Sequence, residues 1–493
     1  MESLNDASEP QREDLIETCD ICIVGAGIAG LNAAAVASQY LSRDQKIVLV
    51  DRRPRSGGMW VDTYPYVRLH QPHPLFTAGN IEWTLDEDRS HLATKSEVLD
   101  HFDHCIDVIE QRVSLVEYYG WTVDDHVESE SGNRLTAKSI SGQRLTIQAQ
   151  RVIKASGLEI NPKQPLQVSS SRIHSVSPDY FDFRGHDMRG SRAPIWIVGG
   201  GKTAMDTAHL AVTEYPGREV NIIAGQGTYF IDRDKLVPNG TRRLLSGTLP
   251  TRLFNTAALR FDGTNEDDVR EWFQSDYAVQ PVRPSRQFFN GLLSKSEAEA
   301  ISSKVSTVDM EYFEDAIDHP DGIELRYRSG RTRHIPPGSW LVNCSGYIFR
   351  DNSAYEPYVS SRGTAVSINT RSVTIGFSSF AGYFLTHLLL LGKLDEVPLY
   401  ELDAEDLTRK AKETLVWTAL ALNQHNLSVI FDAVPQKVFQ DCGLNFDRWY
   451  PVHRRMIGTL AFLRTHHRDR EHHRKTLDTV RERFDVRCGP LQR

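Results

Sequence analysis

Cysteine is scarce in this chain. Six cysteines in 493 residues are too few for the disulfide framework that stabilises small secreted domains. Cys19 and Cys22 form a C-x-x-C pair, a spacing also found in redox and zinc sites. They lie in an apolar run typical of a buried strand, so we expect both thiols to be ordinary core side chains.

Long apolar runs and positive net charge are also missing. The most apolar stretch, residues 383–391, is too short to cross a bilayer, and the polar residues 1–18 lack the apolar core of a secretory signal. The formal net charge of -8 argues against a general nucleic-acid binder. These absences predict a cytoplasmic protein with no membrane or nucleic-acid partner. Hydrophobic residues make up 40% of the chain, enough for the cores of roughly two to four domains.

The most informative feature present is a glycine-rich loop at residues 22–30, which read CIVGAGIAG. It follows a β-favouring run and opens an alanine-rich helical stretch, the arrangement that binds a dinucleotide pyrophosphate at a helix N-terminus. Its glycines provide the tight turn, the close backbone approach and the close helix packing: Gly25, Gly27 and Gly30. Asp51 ends the next apolar run about 20 residues later, where a carboxylate would bind a ribose hydroxyl.

A second loop of the same kind occupies residues 197–206, which read IVGGGKTAMD. The predicted contacts to a second dinucleotide come from its glycines and the start of the following helix: Gly199, Gly201, Lys202, Thr203 and Ala204. After the next strand, residues 224–227 (AGQG) offer neither the acid that favours NADH nor the cation that favours NADPH. Basic residues that follow could reach a 2′-phosphate: Arg233, Lys235, Arg242 and Arg243. We therefore expect NADPH as the cosubstrate, with NADH left open, and Arg233 as one of its contacts.

Residues 51–60 (DRRPRSGGMW) and 64–72 (YPYVRLHQP) resemble the class B flavoprotein monooxygenases, which include flavin-containing, Baeyer–Villiger and N-hydroxylating enzymes. In that family a Gly-Gly-x-Trp segment lies along FAD, so the resemblance implies that the first dinucleotide is FAD. It implies FAD contacts for four residues of this segment: Arg52, Gly58, Met59 and Trp60. It also places His70 and Gln71 near the flavin ring as the catalytic candidates. The alternative is that they are two polar loop residues.

Two later strands, residues 151–157 (RVIKASG) and 340–347 (WLVNCSGY), resemble the family's Ala-Thr-Gly strands, which adds Ser345 and Gly346 to the FAD contacts. His174 matches part of the family's linker motif, and its role stays open. The expected fold is α/β, with two Rossmann-like dinucleotide-binding domains, the second inserted in the first. We predict an FAD-binding domain at residues 18–165 and 341–395, an NAD(P)H-binding domain at 166–340 and a helical C-terminal region at 396–493.

The C-terminal region contains a stretch dense in histidine and arginine, residues 464–474. His466 and His473 fall on one helix face but are two turns apart, too far for one metal ion without other ligands. We expect a solvated, charged helix here and no metal site.

The family resemblance implies a concrete reaction. NADPH reduces FAD, the reduced flavin reacts with O2, and a C4a-hydroperoxyflavin hydroxylates the amine nitrogen of a small-molecule substrate. The segments YPYVRLHQP and NCSGY are similar to the branch that includes L-aspartate N-monooxygenases, which form nitrosuccinate. Arginine grips carboxylates in a bidentate manner, so the candidate substrate ligands are Arg68, Arg283 and Arg286. The alternative is that these arginines face NADP phosphate or solvent.

Other functions share the nucleotide motifs. A Baeyer–Villiger enzyme or an enzyme that oxidises sulfides or amines would carry the same loops, and so would an NADPH-oxidising flavoprotein without oxygen transfer. A disulfide reductase needs a cysteine pair near the flavin, whereas only Cys105 and Cys344 occur between the first loop and the late strand. The sequence leaves open whether the chain forms a homo-oligomer.

Overall fold

The computed structural model describes residues 14–156, 162–346 and 354–491. Three features interpreted from the sequence lie outside these ranges: Gly157, Tyr347 and residues 1–13. The strands are β1 (Leu15–Val24), β2 (Lys46–Asp51), β3 (Ser114–Tyr119), β4 (Trp121–Ser129), β5 (Gly132–Ser139), β6 (Arg144–Lys154), β7 (His174–Val176), β8 (Ile195–Val198), β9 (Val220–Ile223), β10 (Phe230–Asp232), β11 (Ala278–Val279), β12 (Leu292–Leu293), β13 (Thr307–Asp309), β14 (Phe313–His319), β15 (Gly322–Tyr327), β16 (Thr332–Ile335), β17 (Trp340–Asn343), β18 (Ala365–Ser367), β19 (Tyr400–Leu402) and β20 (Cys488–Pro490).

The helices are α1 (Ile28–Ala37), α2 (Met59–Asp62), α3 (Lys95–Glu110), α4 (His186–Gly190), α5 (Lys202–Glu214), α6 (Arg233–Leu236), α7 (Arg242–Leu245), α8 (Pro250–Arg260), α9 (Glu266–Tyr277), α10 (Lys295–Lys304), α11 (Ser378–Leu390), α12 (Ala404–Ala411), α13 (Leu415–Ala433), α14 (Gln436–Gln440) and α15 (Val452–Phe484). Short 3-10 helices cover His73–Leu75, Lys412–Thr414 and Phe446–Trp449.

The first sheet has the order β3-β2-β1-β6-β5-β4, with β18 beside β6. Strands β3, β2, β1, β6 and β18 run parallel, and β5 and β4 are antiparallel. Alternate residues of β1 serve two cores: Ile21 and Ile23 pack against α1, α3 and α11, and Cys22 packs on the opposite face with Trp121. Burial on both faces explains why the second half of β1, residues 21–24, is continuously apolar.

The second sheet has the parallel order β13-β9-β8-β17-β7. Helices α5 and α10 pack on one face, and the small antiparallel sheet β14-β15-β16 packs on the other. The two parallel sheets confirm the predicted α/β fold with two Rossmann-like units. His174 lies on the edge strand β7, exposed, with its ring 4.6 Å from that of Trp340.

The return of the chain to the first sheet was expected at residue 341, and this boundary is wrong. Strand β17 pairs with β7 and β8, so its four buried residues belong to the second sheet. The chain rejoins the first sheet only at β18, which pairs with the carboxyl end of β6. An apolar strand can pair in either parallel sheet, and the sequence of β17 alone does not indicate which.

A third core joins the C-terminal helices to the segment between β10 and β12. Leu253, Phe273 and Phe288 from that segment pack with Leu407 and Trp417 from the C-terminal region. Strands β10, β11 and β12 form a small sheet of their own, and β19 pairs with β20. The C-terminal region is therefore helical, as predicted, but it shares its core with part of the inserted unit.

Helix α15 was expected to be solvated, and along one face it is not. His466, Asp469 and His473 are buried where α15 packs against α13 and α8. The Nε2 atom of His466 lies 3.2 Å from Asp432 of α13, and that of His473 lies 3.3 Å from Asn255 of α8. A run of charged residues can still present one buried face when its polar side chains find partners.

The cysteines are core side chains. All six are buried and free, including the pair Cys19 and Cys22 on β1. In the described part of the chain, no helix combines the length and apolarity needed to cross a bilayer.

Candidate functional site

A cleft of about 950 Å³ lies at the carboxyl ends of strands from both parallel sheets. Residues that end or follow β1, β2 and β6 form part of its wall, and residues that end or follow β8, β9 and β17 form another part. Open parallel sheets bind ligands at this end of their strands. Both glycine loops therefore open into one continuous space.

The first loop is built around a fixed carboxylate. Asp51 is buried, and its two oxygens accept hydrogen bonds from the backbone N–H of Ala26 at 2.6 Å and of Arg53 at 2.8 Å. A Cβ at Gly30 would overlap the carbonyl oxygen of Gly25, so only glycine fits there. Gly27 caps α1 without a side chain, which leaves the first N–H groups of that helix directed at the cleft.

The Gly-Gly-Met-Trp segment is pressed against this loop. Gly58 has a φ of 55°, and a Cβ there would lie 2.7 Å from the Cα of Gly27. Trp60 is buried with its ring 5.9 Å from that of Phe76, whereas Met59 stays exposed. The predicted FAD contacts on the cleft wall are Gly25, Gly27, Asp51, Arg52, Gly58, Met59, Trp60, Ser345 and Gly346. Gly30 supports the loop from behind.

His70 and Gln71 lie on the same cleft wall. The backbone N–H of Leu292 donates to Nδ1 of His70 at 3.2 Å, so the neutral ring carries its proton on Nε2. Burial, together with the Lys202 and Arg233 cations, lowers the pKa of His70 to about 3. His70 is therefore neutral at physiological pH, and its Nε2–H is available to donate a hydrogen bond. Gln71 is buried, and its Oε1 has no hydrogen-bond partner among the described residues.

The second loop repeats the architecture of the first. A Cβ at Gly199 would overlap the carbonyl oxygen of Cys344, so the turn is packed against the end of β17. At Gly201, which caps α5 without a side chain, a Cβ would meet no atom within 4 Å. This open space above a helix N-terminus is the shape of a phosphate cradle. Lys202 and Thr203 line the cleft, and Ala204 is buried behind them.

Two tyrosines connect the two dinucleotide-binding units. The hydroxyl of Tyr64 donates to Asp206 of α5 at 2.8 Å, and Lys202 forms an ion pair with the same carboxylate. The hydroxyl of Tyr66 lies 2.8 Å from that of Thr207. The Tyr-Pro-Tyr segment that follows the first loop thus fixes the helix that follows the second.

The cations nominated for a 2′-phosphate do not reach the cleft. Arg233 forms an ion pair with Glu297 and donates to the carbonyl oxygen of His70 at 3.3 Å. Lys235, Arg242 and Arg243 are also absent from the cleft wall. Of these four residues, Arg233 alone contacts the site, and it does so by holding the backbone of His70.

Arg328 is a cation on the cleft wall that the sequence did not indicate. It lines the cleft beside Tyr312, with its guanidinium 5.7 Å from the centre of that ring. Tyr312 in turn contacts Gly225, which follows β9, where a Cβ would lie 3.0 Å from the ring. The neighbouring acid, Glu311, forms an ion pair with Arg331 at 2.8 Å. No sequence motif indicates Arg328, because a separate hairpin about a hundred residues beyond the loop brings it there.

The three candidate substrate arginines are separated by the fold. Arg68 is exposed on the cleft wall, close in sequence to His70. Arg283 and Arg286 are exposed but do not line the cleft. Arg68 therefore remains a candidate substrate ligand, whereas Arg283 and Arg286 are not placed to contact a substrate in the cleft.

The C-terminal region contributes to the cleft, which the sequence did not indicate. Thr408 and Lys412 line it, as does Ser378 at the start of α11. Cys344 also lines the cleft, and burial raises the pKa of its thiol to about 12. None of the other five cysteines reaches the cleft wall.

Residues 19–234 match the model of the family described as Pyridine nucleotide-disulphide oxidoreductase. Uncharacterized protein Rv2000 of Mycobacterium tuberculosis (strain ATCC 25618 / H37Rv) is 25% identical over 241 residues, which make up 46% of this chain and 42% of that protein. Uncharacterized protein Mb2023 of Mycobacterium bovis (strain ATCC BAA-935 / AF2122/97) matches to the same extent. The alignment thus spans less than half the length of these curated relatives.

Two solved structures match over most of the chain. An oxidized steroid monooxygenase bound to NADP has a TM-score of 0.52 and 13% identity, covering 85% of this chain and 98% of that one. An ε-caprolactone-bound cyclohexanone monooxygenase in the Loose conformation has a TM-score of 0.50 and 12% identity, with the same coverage. This chain shares their fold. At 12–13% sequence identity, the comparison shows a shared fold and does not show a shared function.

Proposed function

We propose that this chain is an FAD- and NADPH-dependent monooxygenase that hydroxylates the amine nitrogen of a small acidic amino acid. The observation that carries the proposal is that two dinucleotide-binding loops open into one cleft, with His70 and Gln71 on its wall. Two cofactors that share one cleft can exchange a hydride directly, which two separate sites would not allow.

The residues present fit two bound dinucleotides. At each loop a helix begins at a glycine without a side-chain cap, so its free N–H groups are available to a pyrophosphate. Open space at Gly201 and the unpartnered Oε1 of Gln71 both indicate room and hydrogen-bonding capacity for a ligand. The Gly58–Trp60 segment along the first loop supports FAD there, and Arg328 supports NADPH at the second.

FAD would be held by the first glycine loop and the Gly58–Trp60 segment, and it would supply the redox chemistry that links NADPH oxidation to O2 activation. The chain's own residues bind and orient the reactants. His70 can donate a hydrogen bond from Nε2 to a bound ligand, and its lowered pKa of about 3 keeps the ring neutral near neutral pH. Gln71 offers a buried amide beside it. Tyr64 and Tyr66 hold the two units at a fixed separation through Asp206 and Thr207.

Disulfide reduction is a poor fit to the cleft despite the name of the matching family. That reaction requires two thiols that can exchange electrons with the flavin. Cys344 is the one cysteine on the cleft wall, and its raised pKa keeps it a protonated thiol. We therefore favour oxygen transfer.

The proposed amine rests on the resemblance of residues 64–72 to N-hydroxylating enzymes, and the proposed acidic group rests on Arg68 and Lys412 on the cleft wall. A Baeyer–Villiger or sulfide-oxidising enzyme would have the same fold, as the steroid and cyclohexanone monooxygenases do. An enzyme that oxidises NADPH without oxygen transfer would also share it.

The test is NADPH oxidation by the FAD-loaded protein with a panel of L-amino acids, a diamine, a ketone and a thioether, with hydrogen peroxide measured in parallel. We expect N-oxidised product from an acidic amino acid, in excess over peroxide. If only the ketone or the thioether gives an oxygenated product, the proposed substrate class is wrong. If hydrogen peroxide is the only product, the proposed oxygen transfer is wrong.

A further inference from the structure

The C-terminal region forms part of the cleft wall. Helix α12 buries Leu407 in the core that the C-terminal helices share with Phe288 and Leu253. The next residue, Thr408, lies on the cleft wall, as does Lys412 at the start of the 3-10 helix that follows α12. Both side chains come from a segment outside the two dinucleotide-binding units.

Lys412 packs on a short segment that also contacts His70. Its Nζ is 5.3 Å from the centre of the Phe289 ring, and Phe289 and Gly291 line the same cleft. The next residue, Leu292, donates its backbone N–H to His70. One short segment therefore carries both the ring beneath Lys412 and the hydrogen bond that orients His70.

The ammonium of Lys412 has no anionic partner in the described part of the chain. No carboxylate lies within ion-pair distance of it, and the adjacent Glu413 forms its ion pair with Arg270 at 3.3 Å. Burial lowers the pKa of Lys412 below its usual value, and Glu413 raises it by less. Lys412 remains exposed on the cleft wall, so its ammonium is only partly desolvated and is free to pair with an anion that enters the cleft.

We propose that Lys412, with Thr408 beside it, binds a carboxylate of the substrate and thereby restricts the enzyme to anionic small molecules. This inference rests on the proposed function for the reaction, but its own content is a binding preference. A lysine that holds the carboxylate leaves the amine nitrogen free to face His70, Gln71 and the flavin. A chain without this segment would lose the selectivity while both dinucleotide loops stayed complete.

The test compares Lys412→Met and Lys412→Arg with the control Lys410→Met. Lys410 lies two residues earlier, in the last turn of α12, where it pairs with Asp406 at 2.9 Å, and it does not line the cleft. The dissociation constants of L-aspartate, L-glutamate, succinate and NADP+ are measured by calorimetry on FAD-loaded protein. Succinate has two carboxylates and no amine, so it reports on the anion site alone.

We expect Lys412→Met to weaken binding of the carboxylates by about 10- to 100-fold, the range for losing a charge-assisted hydrogen bond. Lys412→Arg should recover part of the affinity, and Lys410→Met should match the unmodified protein. The proposal is overturned if the unmodified protein binds none of the three carboxylates, or if Lys412→Met binds them as tightly. A parallel loss of NADP+ affinity would also overturn it, because Lys412 would then serve the cosubstrate.

Failure of the reaction and failure of this inference give different results. If carboxylates bind through Lys412 but no N-oxidised product forms, the proposed reaction is wrong and the anion site stands. If product forms from an acidic amino acid while Lys412→Met retains full affinity, the reaction stands and the anion site is wrong.

Discussion

Replacing Arg328 by alanine should change the cosubstrate preference. The guanidinium lies on the cleft wall over the ring of Tyr312, beside Gly225 at the end of β9, where the adenosine ribose of a dinucleotide is held in this type of fold. No carboxylate of the described residues pairs with Arg328, and Glu311 next to Tyr312 is occupied by Arg331. An NADPH 2′-phosphate therefore has one free cation to meet at this position.

The size of the effect follows from the contact. A hydrogen bond between charged groups contributes about 1.5–3 kcal/mol, which corresponds to about 10- to 150-fold in affinity. We expect Arg328→Ala to raise the KM for NADPH by about this factor and to leave the KM for NADH unchanged, because NADH lacks the phosphate. Arg328→Glu should disfavour NADPH further through repulsion.

The assay is steady-state oxidation of each cosubstrate, with Arg326→Ala as the matched control. Arg326 is also an exposed arginine two residues away, but it pairs with Glu324 at 2.8 Å and does not line the cleft. If Arg328→Ala keeps the ratio of NADPH to NADH specificity of the unmodified protein, the assignment of Arg328 is refuted. If Arg326→Ala and Arg328→Ala change the KM for NADPH equally, the change comes from the general surface charge and not from a specific contact of Arg328.

Two further predictions concern a loop glycine and acid stability. Gly201 has the extended φ of -85° that alanine also adopts, so Gly201→Ala should fold normally but lose about 1–3 kcal/mol of cosubstrate binding, because the added Cβ over-packs the phosphate space. Gly30→Ala should instead lower the melting temperature, since its Cβ would overlap Gly25. Equal NADPH binding in Gly201→Ala and in the unmodified protein would contradict the assignment of Gly201 to a phosphate cradle. Burial lowers the pKa of His101 and His473 to about 3 and of His387 and His425 to about 4. The folded protein therefore keeps these rings neutral, and its free energy of unfolding is greatest above the usual histidine pKa. That free energy falls as the pH drops below the usual histidine pKa, because the unfolded chain then binds protons that the folded protein excludes. Each of these four histidines should lower the free energy of unfolding by about 1.4 kcal/mol per pH unit below pH ~6.5. Urea denaturation at a series of pH values measures this loss. A free energy of unfolding that stays constant from about pH 7.5 to pH 5.5 would show that the fold does not hold these histidines neutral.

The sequence predicted the parts of the site that are local in the chain. A strand, a glycine turn and a helix lie within about 30 residues, so the spacing of Gly25, Gly27, Gly30 and Asp51 already determines their arrangement. The same reasoning found Gly199 and Gly201. These predictions depend on backbone geometry, which short-range sequence specifies well.

The side chains that meet from distant segments were not predictable. Arg328 enters from a hairpin and Lys412 from the C-terminal region, and neither belongs to a motif. Arg283 and Arg286 form a conspicuous cluster in the sequence, yet both are exposed away from the cleft, because proximity along the chain does not fix the direction of a side chain. The buried face of α15 was missed for a similar reason, since the partners of His466 and His473 come from α13 and α8.

The central claim is that the enzyme uses FAD and NADPH, bound in one cleft, to transfer an oxygen atom from O2 to a substrate amine. The most direct measurement supplies FAD-loaded protein with NADPH, ¹⁸O2 and L-aspartate, and follows the label in the product by mass spectrometry. The account predicts ¹⁸O on the former amine nitrogen, with product and NADPH consumption in proportion. Consumption of NADPH with all of the label in hydrogen peroxide, or label on a carbon of the product and none on its nitrogen, would contradict it.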